Sequence, residues 1–308
     1  MPLPTRRAAF LTAFLACYPA LAQTAPPASD PEQAASQATI RKLNAYVGLL
    51  NRTLRASESL ARYGSWVNAR TGPTGRERIV YGLYSLYDVR GEIAKAQAAA
   101  KAEPRMAELD AAVGSYIAAY EALAPVIAQA DGYYERADYK VDKMAEGKVL
   151  HARLAPAGKA FLDQRATFEP LFAREKARSD EAELALIEKR EGRKARWVVA
   201  NVMLRARPVV ELLPTDAKPV VDLPAFDAAL ASYATAVKNM DEYTAAEPGS
   251  FTGFEGRPAS WLGKLREFRE KLGRAKGDAR RGGIDTTWVV MDYNTLISTS
   301  QTATRFPR

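Results

Sequence analysis

Apolar side chains begin to recur with helical spacing at Ile40. Ile40, Val47, Leu54 and Ala61 fall every seven residues, with Leu43, Leu50 and Ser57 on the complementary positions. This pattern predicts a long amphipathic helix with a coiled-coil-like seam, ending near the turn signal Gly72-Pro73-Thr74-Gly75. A second helix is expected after that turn, running through Ala94 to Ala102 and closing at the Glu103-Pro104 step, because a residue before proline disfavours the α region. Tyr81, Tyr84 and Tyr87 would then share one helical face. Met106, Leu109, Val113, Tyr116, Ile117, Tyr120 and Leu123 define a third helix, with a break expected at Asp131-Gly132 and a polar, tyrosine-rich connector over residues 133–148.

From His151 to Leu213 the chain favours helix almost continuously. The charged stretch from Arg174 to Glu183 reads either as an exposed hairpin tip or as part of one continuous helix, and Gly192 and Pro208 are candidate kinks. Phe226, Leu230, Tyr233, Val237 and Met240 mark a fifth helix, Trp261 to Leu272 a sixth, and Thr287 to Ser298 a short closing one. No stretch alternates convincingly with period two. The expected fold is all-α, an elongated antiparallel bundle of long helices in a single domain over residues 36–300.

Ahead of this domain the pattern changes character. Arg6-Arg7, the apolar run from Ala8 to Ala16 and the small-x-small motif Ala20-Leu21-Ala22 make residues 1–22 a signal peptide, and residues 23–35 a flexible spacer. The apolar run is far below the roughly 20 residues of a spanning helix. Cleavage after Ala22 predicts a soluble periplasmic product. An alternative lies in Phe14-Leu15-Ala16-Cys17, which resembles a lipobox and would anchor the chain through an acylated Cys17. Export fits either general secretion or, through Thr5-Arg6-Arg7, a twin-arginine route.

Composition narrows the chemistry. Of 308 residues 47% are hydrophobic and 26% charged, which fits a globular chain; one Cys and one His exclude a Cys/His zinc site, a CxxCH haem motif and an internal disulfide. No cofactor or metal is predicted. The formal charge of +8 falls to +6 when Arg6 and Arg7 leave with the signal peptide. Export removes nucleic acid as a partner, and no groove-reading motif supports one.

Several local motifs run through nearly the whole mature chain: Arg62-Tyr63-Gly64-Ser65-Trp66-Val67, Gly72-Pro73-Thr74-Gly75, Tyr81-Gly82-Leu83-Tyr84, Tyr133-Tyr134, Asp138-Tyr139-Lys140 with Asp142, Gly147-Lys148, Leu150-His151, Glu181 to Arg193, and Tyr293-Asn294-Thr295-Leu296-Ile297. In these the sequence resembles the YiiG family of bacterial envelope proteins, whose function is unknown and whose members are often lipoproteins. The resemblance implies an exported helical protein and brings no reaction or ligand. The lipobox departs from that pattern, with Phe14 where Leu is usual.

Two clusters stand out as candidate sites. Tyr133, Tyr134, Asp138, Tyr139, Lys140 and Asp142, with His151 following and Trp66 from the first motif, gather aromatic, carboxylate and imidazole groups. Asp138 and Asp142, four apart, suit acid–base work or oxygen ligation of a divalent cation; they equally suit helix capping and pairing with Arg136, Lys140 or Lys143, and the spacing matches no EF-hand. His151 has no G-x-S-x-G partner motif. The second cluster is the basic stretch from Lys264 to Arg281, in which Arg269, Lys271 and Arg274 are candidate contacts for an anionic envelope component, whether protein, glycan or lipid. Membrane association would then come through an acylated Cys17 or through this basic surface. The sequence thus points to a non-enzymatic envelope protein that binds or supports another component; the alternative is a hydrolase or lyase on a cell-wall or surface glycan, using Asp138 or Asp142 with His151.

Overall fold

A computed structural model describes residues 30–214, 219–251 and 253–303. The proposed signal peptide, Cys17 and the Ala22 cleavage point lie outside these described residues. The fold is all-α: the described residues form α1 (Pro31–Gly64), α2 (Arg90–Lys101), α3 (Ala107–Glu135), the single turn α4 (Tyr139–Asp142), α5 (Ala145–Glu191), α6 (Ala195–Glu211), α7 (Leu223–Ala246), α8 (Gly256–Arg274) and α9 (Thr287–Ala303), with only two isolated β-bridges. The chain divides within α5 into two compact units, one up to Ser179 and one from Asp180 onward.

In the N-terminal unit α1 starts where Asp30 accepts the Glu32 amide and Pro31 fills the first helical position. The seam predicted from residue 40 is the buried face, with Leu43, Val47, Leu50 and Ala56 shielded from water. It packs on Val113, Tyr116, Ile117 and Leu123 of α3 and on Phe161 and Phe168 of α5. Tyr116 stacks on Phe161 at 5.3 Å between ring centroids, and Tyr46 meets Phe168 edge-on at 6.1 Å. By length and composition α3 could cross a membrane. Its Leu109, Val113, Ile117, Leu123 and Ile127 are instead buried in this core.

A buried ion pair sits at one end of that core. Lys42 Nζ donates to Asp110 Oδ2 at 2.9 Å and to the carbonyls of Ala102 at 3.0 Å and Pro104 at 2.9 Å. Asp110 also accepts from the Tyr46 hydroxyl at 2.6 Å and the Met106 amide at 2.9 Å. With side chains only 1% and 6% exposed, each charge meets a full set of partners, the condition under which a buried pair is tolerated. The pair ties α1 to the turn between α2 and α3.

Several expectations need correction, whereas the charged stretch in α5 follows one of its two expected readings; the spacer expected over residues 23–35 is already helical from Pro31. The first helix ends at Gly64, short of the glycine turn, and the second begins only at Arg90. Residues 76–89 are an extended strap without helix, so Tyr81, Tyr84 and Tyr87 share no helical face. The strap is held by α1: Ser59 Oγ exchanges hydrogen bonds with the Tyr84 amide and carbonyl at 3.1 Å, Arg62 grips the Tyr81 carbonyl, and Arg55 lies 3.9 Å from the Tyr84 ring centroid. Helix α3 continues through Asp131-Gly132, because Asp131 turns outward to accept the Ser85 hydroxyl at 2.6 Å. The stretch from Arg174 to Glu183 belongs to the continuous α5, and the connector over 133–148 is mostly helical. Helix α5 ends at Gly192, whose φ of 76° and amide bond to the Glu188 carbonyl form a left-handed cap.

The C-terminal unit encloses its own apolar core. Val198, Val202 and Val209 of α6 meet Phe226, Tyr233 and Val237 of α7, with Trp261, Leu265 and Phe268 of α8 and Val289 and Leu296 of α9. Tyr233 packs edge-on against Trp261 at 5.0 Å and donates to the Pro258 carbonyl at 3.0 Å. Helix α7 begins at Asp222, which caps the Ala225 amide. After α8, residues 275–286 form a loop fastened to 219–221 by the Val221 amide on the Gly277 carbonyl at 2.9 Å and the Ala279 amide on the Pro219 carbonyl at 3.0 Å. Only glycine fits at 277: φ is +82°, and a Cβ there would lie 2.7 Å from the Val221 carbonyl oxygen.

Lys42→Met leaves the Asp110 carboxylate buried beside Tyr46 and should lower the free energy of unfolding by about 3–5 kcal/mol in urea titrations. Adding Asp110→Asn, which removes the charge yet keeps an acceptor for Tyr46, should restore at least half of that loss. Recovery no better than either single variant would show that the pair does not act as a unit. A second measurement concerns alkaline pH. Burial pushes Tyr120 and Tyr293 up to about 12 from the usual 10, and Tyr46 and Tyr233 further, the Tyr46 shift also reflecting Asp110. The unfolded chain sheds these protons near pH 10 while the folded chain keeps them, so stability should fall as pH rises from 10 towards 12. Thermal melts across that range, with phenolate absorbance as the companion signal, should show the two changes together.

Candidate functional site

The ends of α1 and α3, the connector and the start of α5 assemble an aromatic nest. Tyr63 is its centre. Its ring meets Trp66 at 5.4 Å, Tyr134 at 6.2 Å and the His151 imidazole at 5.9 Å, and Trp66 meets Tyr134 edge-on at 5.1 Å. Tyr133 and Tyr139 extend the cluster from either side of Tyr134, at 4.9 and 6.1 Å. Trp66 is fixed by its indole N–H on the Gly82 carbonyl at 3.1 Å, which also seats the first residues of the strap.

Burial pushes the Tyr63 hydroxyl up to about 12, so at neutral pH it keeps its proton. It lies 3.1 Å from His151 Nδ1. In this hydrogen bond the donor and acceptor roles follow the imidazole tautomer. The other face of the ring is closed by Gly72, where a Cβ would lie 2.7 Å from His151 Cδ2 and φ is +70°. Glycine is required there on both counts. The Tyr134 hydroxyl is buried without a hydrogen bond of acceptable geometry, although the Tyr63 hydroxyl is near enough to affect its ionisation; burial, first, and Tyr63 raise it well above the usual phenol range.

The two carboxylates do not converge. Asp142 accepts from the Tyr133 hydroxyl at 2.8 Å and from the amides of Met144 and Glu146, each at 2.9 Å. It therefore covers the N-terminus of α5, and the Glu146 amide, ahead of Tyr133 and Met144, holds it below the usual carboxylate range against the effect of burial. Asp138 is bound by the Arg136 guanidinium, with contacts of 2.8 and 3.0 Å, at the surface. Lys140 is exposed beside the Tyr139 ring, 5.9 Å from its centroid. Ala137, Lys143 and Met144 all adopt left-handed φ angles between 55° and 67°, a strained backbone that turns the chain back on itself and sets Asp142 under α5. The structure thus gathers Tyr133, Tyr134, Tyr139, His151 and Trp66 into one packed cluster and leaves Asp138 and Lys140 at its edge. No group of three His, Cys, Asp or Glu side chains able to hold a metal occurs among the described residues.

The basic stretch separates in the same way. Arg269 is held by both oxygens of Asp227, the Nη2 contact being 2.7 Å, and Lys264 by Asp292 at 2.7 Å. Arg274 pairs with Glu270 at 2.8 Å in full exposure, a weak tether. Lys271 and Arg274 line a half-open cavity of about 540 Å³ at the end of α8, together with Arg281 from the following loop. Phe268, Ile284 and Trp288 form its apolar wall, with Phe268 and Trp288 edge to face at 5.8 Å. The side chains of Lys271 and Arg281 make no ion pair among the described residues. Asp285, the acidic residue of the lining, receives the Thr287 amide at 2.9 Å at the start of α9.

Arg281 closes the basic stretch read from the sequence, but Tyr63 and Trp288 were not singled out there as site residues. Tyr63 follows Ala56 by seven residues and so reads as one more core position of α1; the signal for its role is the adjacent Trp66 and glycine turn, which only the fold brings against His151. Trp288 lies beyond the basic stretch and reads as part of a closing helix.

Comparison with known proteins places the chain. It is 32% identical over 188 residues, 57% of its length, to the uncharacterised protein YiiG of Escherichia coli (strain K12), and the aligned region is 51% of that protein, so the chain spans about half the length of this relative. No solved structure matches. A family model described as "Protein of unknown function (DUF3829)" matches residues 37–290, from the first turns of α1 into α9, and the chain belongs to that family.

Proposed function

We propose that the protein is an exported, non-catalytic binding protein of the cell envelope, whose C-terminal unit holds an anionic component at the end of α8. The observation that carries this reading is the cavity walled by Phe268 and Trp288, into which Lys271, Arg274 and Arg281 bring positive charge. Lys271 and Arg281, which have no acid partner among the described residues, and Arg274, tethered only to the exposed Glu270, stand beside an apolar wall and suit a ligand with a phosphate or carboxylate head and an apolar body. The outer basic surface contributes less than the sequence suggests, since Arg269 and Lys264 already carry their own acids. Catalysis on a glycan has weaker support. Asp142 is occupied by Tyr133 and the α5 amides, and His151 is packed between Tyr63 and Gly72, so neither presents an acid or base to an open cavity.

Export and anchoring are tested by fractionation with N-terminal mass analysis. A mature chain beginning at Gln23 supports the free periplasmic form and an acylated Cys17 the anchored one; an uncleaved cytoplasmic chain rejects both.

Binding is tested with phosphatidylglycerol vesicles and with lipopolysaccharide, phosphatidylcholine vesicles being the control. Lys271→Gln/Arg281→Gln should weaken binding by about 2 kcal/mol, roughly thirtyfold, at about 1 kcal/mol per charge. Affinity should also fall with salt, because screening confines exposed charges to about 8 Å at physiological ionic strength. Arg269→Gln should leave binding nearly unchanged, since that guanidinium is held by Asp227. Equal binding to neutral vesicles, or no loss in the double variant, rejects the anionic site. The two anionic probes separate a lipid head group from a surface polysaccharide.

A further inference from the structure

A second concavity, in the N-terminal unit, has a different chemistry. It lies between the middle of α1, the end of the strap and the first turns of α2, with a volume of about 390 Å³. That is near the lower end of small-ligand pockets, about 300–1,000 Å³, and suits one or two sugar-sized rings. Asn44 and Asn51, seven residues apart, stand on the same face of α1, and Gly48 lies between them. Opposite them are Glu92 and Lys95 of α2, with the Tyr87 ring, half exposed, at the rim.

The polar groups here are unusual in having no work to do within the protein. The side chains of Asn44, Asn51, Glu92 and Lys95 make no hydrogen bond or ion pair among the described residues, although Glu92 and Lys95 are three apart on one helix and of opposite sign. Arg52 is already engaged: its Nε donates to the Asp88 carbonyl at 3.1 Å and its guanidinium lies 4.6 Å from the Tyr87 ring centroid. Glu92 is set against Lys95, and the Arg52 guanidinium, held at the strap, leaves the lining with one net positive charge. Two amides, a carboxylate and an ammonium offer donors and acceptors side by side over a floor of Ala45 and Gly48.

We propose that this concavity is a binding site for a neutral saccharide of one or two rings. Each sugar hydroxyl both donates and accepts, which matches the mixed amide and charged groups; a simple anion would leave Glu92 without a donor, and a simple cation would face Lys95 and Arg52. The apolar face of a pyranose ring matches the exposed Tyr87 ring and the bare backbone at Gly48. The site is independent of the anion cavity in the C-terminal unit and does not rest on it.

Gly48 supplies the test. A Cβ built there meets nothing within 4 Å, so a side chain at this position enters open space. Leucine is a better helix former than glycine, and Gly48→Leu should fill the concavity while keeping or raising the melting temperature. Saturation-transfer NMR of the mature chain is run with maltose, cellobiose and N,N′-diacetylchitobiose at millimolar concentration. Wild type should transfer saturation to at least one of the three. For that sugar Gly48→Leu should abolish transfer, and Asn44→Ala and Asn51→Ala should each raise Kd about tenfold, the loss of one hydrogen bond of roughly 1.4 kcal/mol. Binding should be unchanged by 0.5 M salt, taken here as roughly three times physiological strength, and by Lys271→Gln/Arg281→Gln. Absence of transfer to all three sugars, or equal transfer in folded Gly48→Leu, overturns the assignment. Loss of affinity with salt overturns its neutral character.

Discussion

The N-terminal unit depends on a charge that the fold has taken out of water. Lys42 lies on the buried side of α1, and an ammonium there is tolerable only because Asp110 and two carbonyls are brought to it. Those partners belong to the turn between α2 and α3 and to the first turn of α3, so satisfying one cation fixes how three helices meet. Tyr46, one turn further along α1, shares the same carboxylate and carries the constraint into the aromatic core at Phe168. Hydrophobic burial drives the unit together without direction; this network selects one register of α1 against α3. The C-terminal unit has no comparable buried ion pair among its described residues. It relies on its apolar core, and two of its tryptophans, Trp197 and Trp261, bury indole N–H groups without partners there.

Tyrosine plays three distinct parts in this protein. Tyr116 and Tyr120 are core residues whose rings fill space between helices, and Tyr116 also accepts from Arg165 at 3.1 Å. Tyr63, Tyr133 and Tyr134 form the nest that fastens the connector to the end of α1. Tyr84 and Tyr87, on the strap, face outward and present their rings to arginines of α1. Tyrosines close in sequence therefore do not mark one site; the environments differ in burial and in what each hydroxyl meets.

The helical class and the faces of α1, α3, α7 and α8 were legible, because burial imposes a spacing of three and four that survives in Leu43, Leu50, Val113, Ile117, Phe226, Tyr233, Leu265 and Phe268. Helix ends were less legible. The strap has the alternating composition of an amphipathic helix, yet Ser59 and the arginines of α1 provide its backbone carbonyls with partners that a helix would otherwise supply internally. The reading of Asp142 and Asp138 as capping and pairing groups is realised in detail, whereas Lys42 and Asp110 look like ordinary surface charges until the fold places them together. Pairing over 68 residues leaves no local trace in the sequence. The same is true of the α8 cavity: Lys271 and Arg274 are visible as charge, but Trp288, which completes the aromatic wall begun by Phe268, comes from α9.

The strap has a mechanical consequence. The strap has no ladder of its own: it is fastened by guanidinium–ring contacts, by side chains reaching its carbonyls and by the buried Leu83 and Val89, so its opening exposes far less apolar surface than global unfolding and costs correspondingly less. Tyr87 belongs to this segment and also borders the concavity over Gly48. A molecule that rests on that ring only in the closed arrangement binds it more tightly than the open one, and by linkage its occupancy lowers the population in which the backbone from Arg76 to Val89 is exposed to solvent. Occupancy on one side of α1 is thereby registered in the protection of Tyr81 and its neighbours, several turns away at the aromatic nest.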